Sequence, residues 1–175
     1  MIRIFNSLTG KKETFEKPLS EVVKLYVCGL TVYDSAHIGH LRCLLFFDLL
    51  TRYLRSLGYQ VIYVRNITDV DDKIIKRSAS LGVQWEQLVQ KVIASIEGEE
   101  ERLGLVRPDH EPRASRYIDE MVAMIQTLID NKHAYVSGSG DVCFSVSSYP
   151  EYGALSKQDL SQLQQESRVA IGGKQ

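Results

Sequence analysis

A chain of 175 residues in which 44% of the residues are hydrophobic and 25% are charged is long enough for one ordinary domain with a sizeable core. Its net charge of -1 excludes a general basic surface for nucleic acid, and no apolar run approaches the ~20 residues of a membrane span. The three cysteines are odd in number and lack a close CxxC spacing, which argues against a disulfide framework and favours the reducing cytoplasm.

The first third of the chain predicts a strand, a helix and a second strand. Residues 2–8 predict a small N-terminal strand that a turn joins to the short stretch 13–16, and Lys24–Cys28 predicts the first core strand. Apolar side chains then recur every three or four residues over 41–54, which indicates a helix, and Val61–Val64 follows as a second β-branched strand. Strand, helix and strand in this order predict a parallel βαβ unit of an α/β protein.

A polar segment, residues 65–73, follows the second strand. Thr68, Asp69 and Asp71 are candidates for the N-cap of a further helix that begins near Ile74. The aspartates favour a helix N-terminus over a metal cluster. Because such strand ends line the ligand crevice of open parallel sheets, we expect this segment to lie near a site.

The next part of the chain predicts a long helix and a loop. Apolar residues spaced by three and four predict an amphipathic helix over 84–103, and we expect the acidic run 97–101 to form a solvated face. The following stretch, 107–113, contains two prolines and predicts a loop.

The last part of the chain changes its pattern. Residues 118–129 predict one more helix, and residues 134–146 predict a β-hairpin. This change places a domain boundary near residue 116. A further short helix is expected around Leu160 and Leu163.

The stretch His37-Ile38-Gly39-His40 lies between the first core strand and the predicted helix. Backbone N–H groups and the positive end of a helix dipole meet at such a place, which suits a phosphate group. Gly39 lets a ligand approach the backbone closely, and the imidazoles of His37 and His40 can donate hydrogen bonds to phosphate oxygens. A pair of polar residues at a helix start is the simpler alternative, and the position after a buried strand favours the functional interpretation.

Four stretches of the sequence carry most of a resemblance to a known family: Leu25–Gly29, Thr31–Asp34, His37–His40 and Tyr63–Ile74. With further matches at Arg107–Asp109, Glu111–Ala114, Gly140–Val142 and Tyr152–Ser156, they resemble the N-terminal half of the catalytic domain of the cysteinyl-tRNA synthetase family, of class I. The resemblance implies a Rossmann-type (HUP-like) parallel sheet, of which residues 1–116 are the first half. It also implies that residues 117–175 begin an inserted connective region, a helix followed by a β-hairpin.

The resemblance implies roles for seven residues. His37 and His40 are the implied catalytic residues and hold ATP together with Gly39, whereas Cys28 is an implied ligand of a zinc ion. The implied cysteine-binding residues are Gly29, Thr31 and Thr68. A zinc–sulfur bond also explains how serine can be rejected, because a serine hydroxyl competes poorly with a thiolate for zinc. The remaining cysteines, Cys43 and Cys143, are predicted to pack in the interior.

The resemblance further implies that ATP with Mg²⁺, L-cysteine and cysteine tRNA are the partners of a cytoplasmic monomer that forms cysteinyl adenylate and then cysteinyl-tRNA. The family's other zinc ligands, its KMSKS loop, the second half of its sheet and its anticodon-binding region have no match in this sequence. We therefore expect an N-terminal fragment that is inactive or nearly so when isolated.

Three other functions fit parts of the sequence. A mycothiol-type cysteine ligase also adenylates cysteine on zinc but transfers it to an amino sugar. A small nucleotidylyltransferase shares the HxGH pattern, although it explains neither Cys28 nor the stretch 66–72. A nucleotide-binding or partner-binding remnant without catalysis is the non-enzymatic alternative.

Overall fold

The computed structural model describes residues 2–158. Its elements follow the chain in the order β1 (Arg3–Asn6), β2 (Lys11–Thr14), β3 (Val23–Val27), α1 (Ile38–Ser56), β4 (Val61–Arg65), α2 (Asp72–Leu81), α3 (Trp85–Arg102), α4 (Ile118–Asp130), β5 (Ala134–Val136) and β6 (Val142–Phe144), with short 3-10 turns at Ala114–Arg116 and Val146–Ser148.

The described residues fall into two compact units. One unit is Lys17–Ile118, and the other combines the chain up to Glu16 with the chain from Asp119 onward. The short helix expected around Leu160 and Leu163 lies outside the described residues. None of the helices described within residues 2–158 is long and apolar enough to cross a membrane.

The sheet of the unit formed by residues 17–118 is built on β3 and β4. These strands are parallel and in register, from Val23 opposite Val61 to Val27 opposite Arg65, and α1 connects them. Val61, Tyr63 and Arg65 of β4 are all buried, since alternate residues of the strand point into the interior. The predicted parallel βαβ unit is therefore confirmed, and the protein is of mixed α/β class.

Residues 109–114 run along the other edge of β4. The Asp109 N–H donates to the carbonyl of Tyr63 at 2.7 Å, and the Arg65 N–H donates to the carbonyl of His110 at 3.1 Å. A parallel bridge between Ile67 and Arg113 continues this pairing beyond β4. The sequence predicts a plain loop here and does not reveal this pairing. Proline cannot donate a ladder hydrogen bond, and no alternation of apolar residues marks the segment as a strand.

The hydrophobic core of this unit lies under the segment that follows β3. Val32 of that segment and Ile74 of α2 pack against one face of α3, which contributes Leu88, Val89, Val92, Ile93 and Ile96. The 3–4 spacing of these residues in α3 confirms the predicted amphipathic helix. The packing fixes the backbone around Val32, and so fixes the strand-end segment on either side of it.

The acidic run near the end of α3 is only partly solvated. Glu100 is buried, and its carboxylate lies 2.6 Å from the guanidinium of buried Arg65. Glu111 pairs with the same guanidinium at 2.5 Å. The expectation of a solvated run was therefore wrong for Glu100, because its helix position faces β4 rather than solvent.

The other unit contains two antiparallel strand pairs and a helix. β1 pairs with β2 and β5 pairs with β6, which confirms the predicted N-terminal strand and turn and the later hairpin. The predicted helix is α4, and none of its residues is buried. The Lys157 ammonium donates to the carbonyl of Leu8 and so joins the two parts of this unit.

Candidate functional site

His37 begins α1, directly after the turn that follows β3. Its backbone is extended and its Nδ1 accepts a hydrogen bond from the Gly39 N–H at 3.1 Å, so that it is the N-cap of the helix. The His40 Nδ1 accepts in turn from the His37 N–H at 3.3 Å. The two histidines form a reciprocal capping box, which serine and glutamate usually form at these positions.

The capping bonds set the protonation of both rings. An Nδ1 that accepts a hydrogen bond carries no proton, so each neutral ring carries its proton on Nε2. Burial lowers the pKa of His40, and the charge of His37 lowers it further, both of which favour the neutral ring. The helix start thus offers two Nε2–H donors, and the first turn of α1 contains no acidic residue to repel an anion.

Gly39 is open to solvent and close to the His37 ring. A Cβ built on Gly39 would lie 2.9 Å from the Cε1 atom and 3.1 Å from the Nδ1 atom of His37. A side chain here would displace the ring that caps the helix. The small size of Gly39 therefore preserves the cap, in addition to leaving the backbone accessible to a ligand.

Gly29, Thr31 and Thr68 lie together beyond the ends of β3 and β4. Thr31 and Thr68 form a parallel bridge, and the Thr68 N–H donates to the carbonyl of Leu30 at 3.1 Å. The Val32 N–H donates back to the carbonyl of Thr68 at 3.2 Å. This pairing brings the three residues predicted to bind cysteine into one half-buried cluster at the carboxyl edge of the sheet.

Asn66 connects this cluster and was not singled out from the sequence. Its Oδ1 accepts from the Gly29 N–H at 2.8 Å, and its Nδ2 donates to the Thr68 hydroxyl at 3.1 Å. The Asn66 backbone also presses on Gly29, where a Cβ would lie 1.4 Å from the Asn66 carbonyl oxygen. An asparagine next to a strand end is a common turn residue, so the sequence carried little signal for this role.

The histidine pair and the Gly29–Thr68 cluster belong to the same unit. Within residues 2–158, no hydrogen bond or ring contact joins His37 or His40 to Gly29, Thr31 or Thr68. Residues 32–36 separate them along the chain. A ligand with a phosphate and a separate polar group is the kind of molecule that two such neighbouring sites can bind together.

Cys28 lies directly after β3 and exposes its thiol. Zinc sites take four ligands, or three and a water. No group of three or more histidine, cysteine, aspartate or glutamate side chains within residues 2–158 could hold a metal ion. The described residues alone therefore do not fit a zinc ion, and Cys28 offers a single free ligand. Cys43 was predicted to pack in the interior but is exposed on α1.

The aspartates near Thr68 have structural partners. The Asp71 carboxylate accepts a hydrogen bond from the Lys73 N–H at 2.7 Å. Asp71, one of the three predicted candidates, is therefore the N-cap of α2. Asp69 is buried instead, and its two oxygens accept from the N–H and hydroxyl of Ser115 at 2.8 and 2.6 Å. Asp71 is therefore a helix cap, and Asp69 bonds to Ser115 in the chain after residue 114.

Comparison with known proteins finds the same family along nearly the whole chain. A family model described as the tRNA synthetases class I (C) catalytic domain matches residues 14–175. Cysteine–tRNA ligases from Histophilus somni (strain 129Pt) and Pasteurella multocida (strain Pm70) are 54% and 53% identical to it over 172 and 171 residues. Each match covers 98% of this chain but 37% of the relative, so the chain spans little more than a third of the length of these relatives.

A solved structure shows a similar fold. A Campylobacter jejuni protein described as an arginyl-tRNA synthetase superposes with a TM-score of 0.57, over 78% of this chain and 40% of that chain. The two sequences are 18% identical, so the likeness concerns the fold alone.

Proposed function

Because the chain belongs to the family of class I (C) tRNA synthetase catalytic domains, we propose that it supplies the ATP-binding and amino-acid-binding segments of a cysteine–tRNA ligase. A carboxylate oxygen of L-cysteine attacks the α-phosphorus of ATP, a new O–P bond forms, and the bond to pyrophosphate breaks. Mg²⁺, which would arrive with ATP as part of the substrate, would neutralise charge on the leaving pyrophosphate. The cysteinyl adenylate then passes its acyl group to a terminal hydroxyl of cysteine tRNA and releases AMP.

One observation carries this proposal: both Nδ1 atoms at the start of α1 are bound to the backbone, which leaves the two Nε2 atoms to act as donors to a ligand. Negative charge builds on the α-phosphate oxygens during attack, and donors fixed in advance stabilise that charge without reorganising. The capping box holds both rings before ATP arrives, since each Nδ1 is bound to the backbone. His37 and His40 are the proposed catalytic donors, and Gly39 leaves room for the phosphate beside them.

The amino-acid side of the site is the cluster of Gly29, Thr31 and Thr68. We place the substrate cysteine against it, at the carboxyl edge of the parallel strands where ligands of open α/β sheets bind. Zinc, as a Lewis acid, would bind the substrate thiolate and select it over a hydroxyl. Cys28 is the proposed ligand from this chain, and the others would come from residues outside 2–158.

We also propose how the chain is divided. Residues 1–116 form the first half of a Rossmann-type nucleotide-binding domain, and residues 117–175 begin a connective insertion. The parallel pair of β3 and β4 with its crossover helix α1 supports the first assignment. Cysteine tRNA would bind mainly through other parts of a monomeric, cytoplasmic ligase.

A chimera tests the proposed activity. This chain replaces the matching segment of the Pasteurella multocida ligase, and cysteine-dependent ATP–pyrophosphate exchange is measured. We expect the chimera to retain exchange, and His40→Ala to lower kcat at least a hundredfold by removing a transition-state donor. His110→Ala, at an exposed histidine outside the site, is the matched control and should leave the rate unchanged. Absence of exchange in a folded chimera would contradict the proposal.

Metal content tests the role of Cys28. We expect about one zinc ion per chimera, lost on Cys28→Ser and retained on Cys43→Ser, because both thiols are exposed but only Cys28 lies beside the proposed cysteine site. The isolated 175-residue chain should show no exchange, since residues 2–158 complete no metal site. Zinc retained by Cys28→Ser would overturn the assignment.

A further inference from the structure

The Asn66 side chain joins the two segments that carry the proposed cysteine-binding residues. Its amide spans the gap between the chain after β3 and the chain after β4, with bonds of 2.8 Å to the Gly29 N–H and 3.1 Å to the Thr68 hydroxyl. The missing side chain of Gly29 is what allows this approach, since a Cβ would overlap the Asn66 carbonyl.

These bonds fix which way the amide points. The Gly29 N–H can only donate, so it must face the amide oxygen, and the amide nitrogen must then face Thr68. The nitrogen can only donate, so the Thr68 oxygen accepts from it. The Thr68 hydroxyl hydrogen therefore points away from Asn66.

Because the backbone groups of Thr68 are already hydrogen-bonded, its hydroxyl hydrogen is the one donor of this residue that has no partner within residues 2–158. The Thr68 N–H is bound to the carbonyl of Leu30, and the Thr68 carbonyl accepts from the Val32 N–H. Within residues 2–158, no acceptor takes the hydroxyl hydrogen of Thr68. Thr68 is half-buried at the edge of the sheet, so an acceptor atom of a ligand placed there could take this hydrogen.

We propose that Asn66 is a positioning residue, which turns the Thr68 hydroxyl into a donor aimed at the bound amino acid. This inference rests on the proposed function. The substrate atom that takes the Thr68 hydroxyl hydrogen is then an acceptor, either the thiolate sulfur or a carboxylate oxygen. Asn66 itself does not touch the substrate; it acts through Thr68 and by holding the Gly29 backbone in place.

A double-mutant cycle in the chimera tests the coupling. Asn66→Asp keeps an acceptor for the Gly29 N–H but removes the donor to Thr68, so the Thr68 hydroxyl turns to donate to the new carboxylate. We expect the KM for cysteine to rise about tenfold or more, with the KM for ATP unchanged. Thr68→Val should cause a similar rise, and Thr68→Ser, which keeps the hydroxyl, a clearly smaller one. In the Thr68→Val background, Asn66→Asp should add little, because its effect passes through the missing hydroxyl.

A merely structural asparagine gives a different pattern. Asn66→Asp would then raise the cysteine KM by the same factor in both backgrounds and would also raise the ATP KM, and that result would overturn the proposal. Asn131→Asp, the same change at an exposed residue of the other unit, is the control. If Asn66→Asp fails to fold, Thr68→Val alone decides, since an unchanged cysteine KM overturns the proposal.

Two inhibitors identify the accepting atom. Cysteamine has the thiol without the carboxylate, and L-alanine has the carboxylate without the thiol. Asn66→Asp should weaken inhibition by one of the two compounds and leave inhibition by the other unchanged. If each compound inhibits the variant as strongly as it inhibits the parent, the proposal is overturned. An unsubstituted chimera without exchange contradicts the proposed function, whereas an active chimera whose cysteine KM ignores both substitutions contradicts this inference only.

Discussion

The imidazole rings of His37 and His40 are stacked, with centroids 3.7 Å apart and planes inclined by 22°. Each ring also accepts a backbone hydrogen bond through Nδ1. Protonation of either Nδ1 removes an acceptor from the cap and places a positive charge beside the other ring and at the positive end of the helix dipole. Both effects agree with the lowered pKa of His40, which favours its neutral ring.

The first prediction concerns pH. The pKa of His40 is lowered from its ordinary value of 6.5, so the unfolded chain takes up a proton more readily than the folded one. The stability that His40 contributes is fully present above pH 6.5 and is lost as pH falls through the lower folded pKa. Between pH 7.5 and 5.5 we expect the melting temperature to fall less in His40→Gln than in the parent.

Glutamine is the matched replacement because it completes a capping box at this position but does not titrate. Melting curves of both proteins at several pH values, followed by circular dichroism at the helical signal, measure the difference. An equal decrease in melting temperature in the two proteins would show that protonation of His40 does not contribute to the pH dependence of stability.

The second prediction concerns Gly29. Alanine at this position puts a methyl group 1.4 Å from the backbone oxygen of Asn66, so the two strand-end segments must separate. We expect Gly29→Ala to lower the free energy of unfolding by at least about 3 kcal/mol. Gly98→Ala in α3 is the control, because a Cβ built on Gly98 meets nothing within 4 Å. Alanine should raise the free energy of unfolding there by about 1 kcal/mol through its higher helix propensity.

Urea unfolding of the three proteins measures both changes. A Gly29→Ala protein with an unchanged free energy of unfolding would contradict the close contact between Gly29 and the Asn66 backbone.

The third prediction compares two arginines. The Arg65 side chain is 9% exposed and paired with Glu100 and Glu111, whereas the Arg102 side chain is 78% exposed and paired with Glu99. Burial lowers the pKa of Arg65, but its hydrogen bonds and charge interactions with both glutamates outweigh this and raise the pKa, so the guanidinium stays charged.

Arg65→Ala leaves the Glu100 carboxylate buried without a counter-charge, and we expect a loss of roughly 3–5 kcal/mol in the free energy of unfolding. Arg102→Ala should cost less than about 1 kcal/mol, because an exposed ion pair is screened by water. Similar losses in both variants, measured by urea unfolding, would argue against a buried network around Arg65.

The sequence predicts the helices and strands whose buried residues recur at a regular spacing. It does not reveal contacts between residues that belong to no such pattern. α1, α3 and β4 are recognisable because their buried residues recur at helix or strand spacing. The phosphate-binding candidate could also be predicted, since HxGH after a buried strand is a local pattern. The aspartate at position 71 fits the same rule, as a helix cap that is defined by its immediate neighbours.

The missed features all depend on partners distant in sequence. Glu100 looks solvated within its acidic run, and only the approach of Arg65, 35 positions earlier, explains its burial. Asn66 acts on Gly29, which lies 37 residues away. The pairing of residues 109–114 with β4 involves backbone atoms, which carry no side-chain pattern.

That last pairing has a consequence for synthesis on the ribosome. β3 and β4 can meet as soon as residue 65 leaves the exit tunnel, but the second edge of β4 stays bare until residues 109–114 emerge about 45 positions later. During that interval the nascent chain presents an unpaired row of N–H and C=O groups from a buried strand, the kind of edge that recruits other strands. We expect ribosome-bound chains arrested just before Asp109 to be protease-sensitive and bound by chaperones, and chains arrested with residue 116 outside the tunnel to be protected.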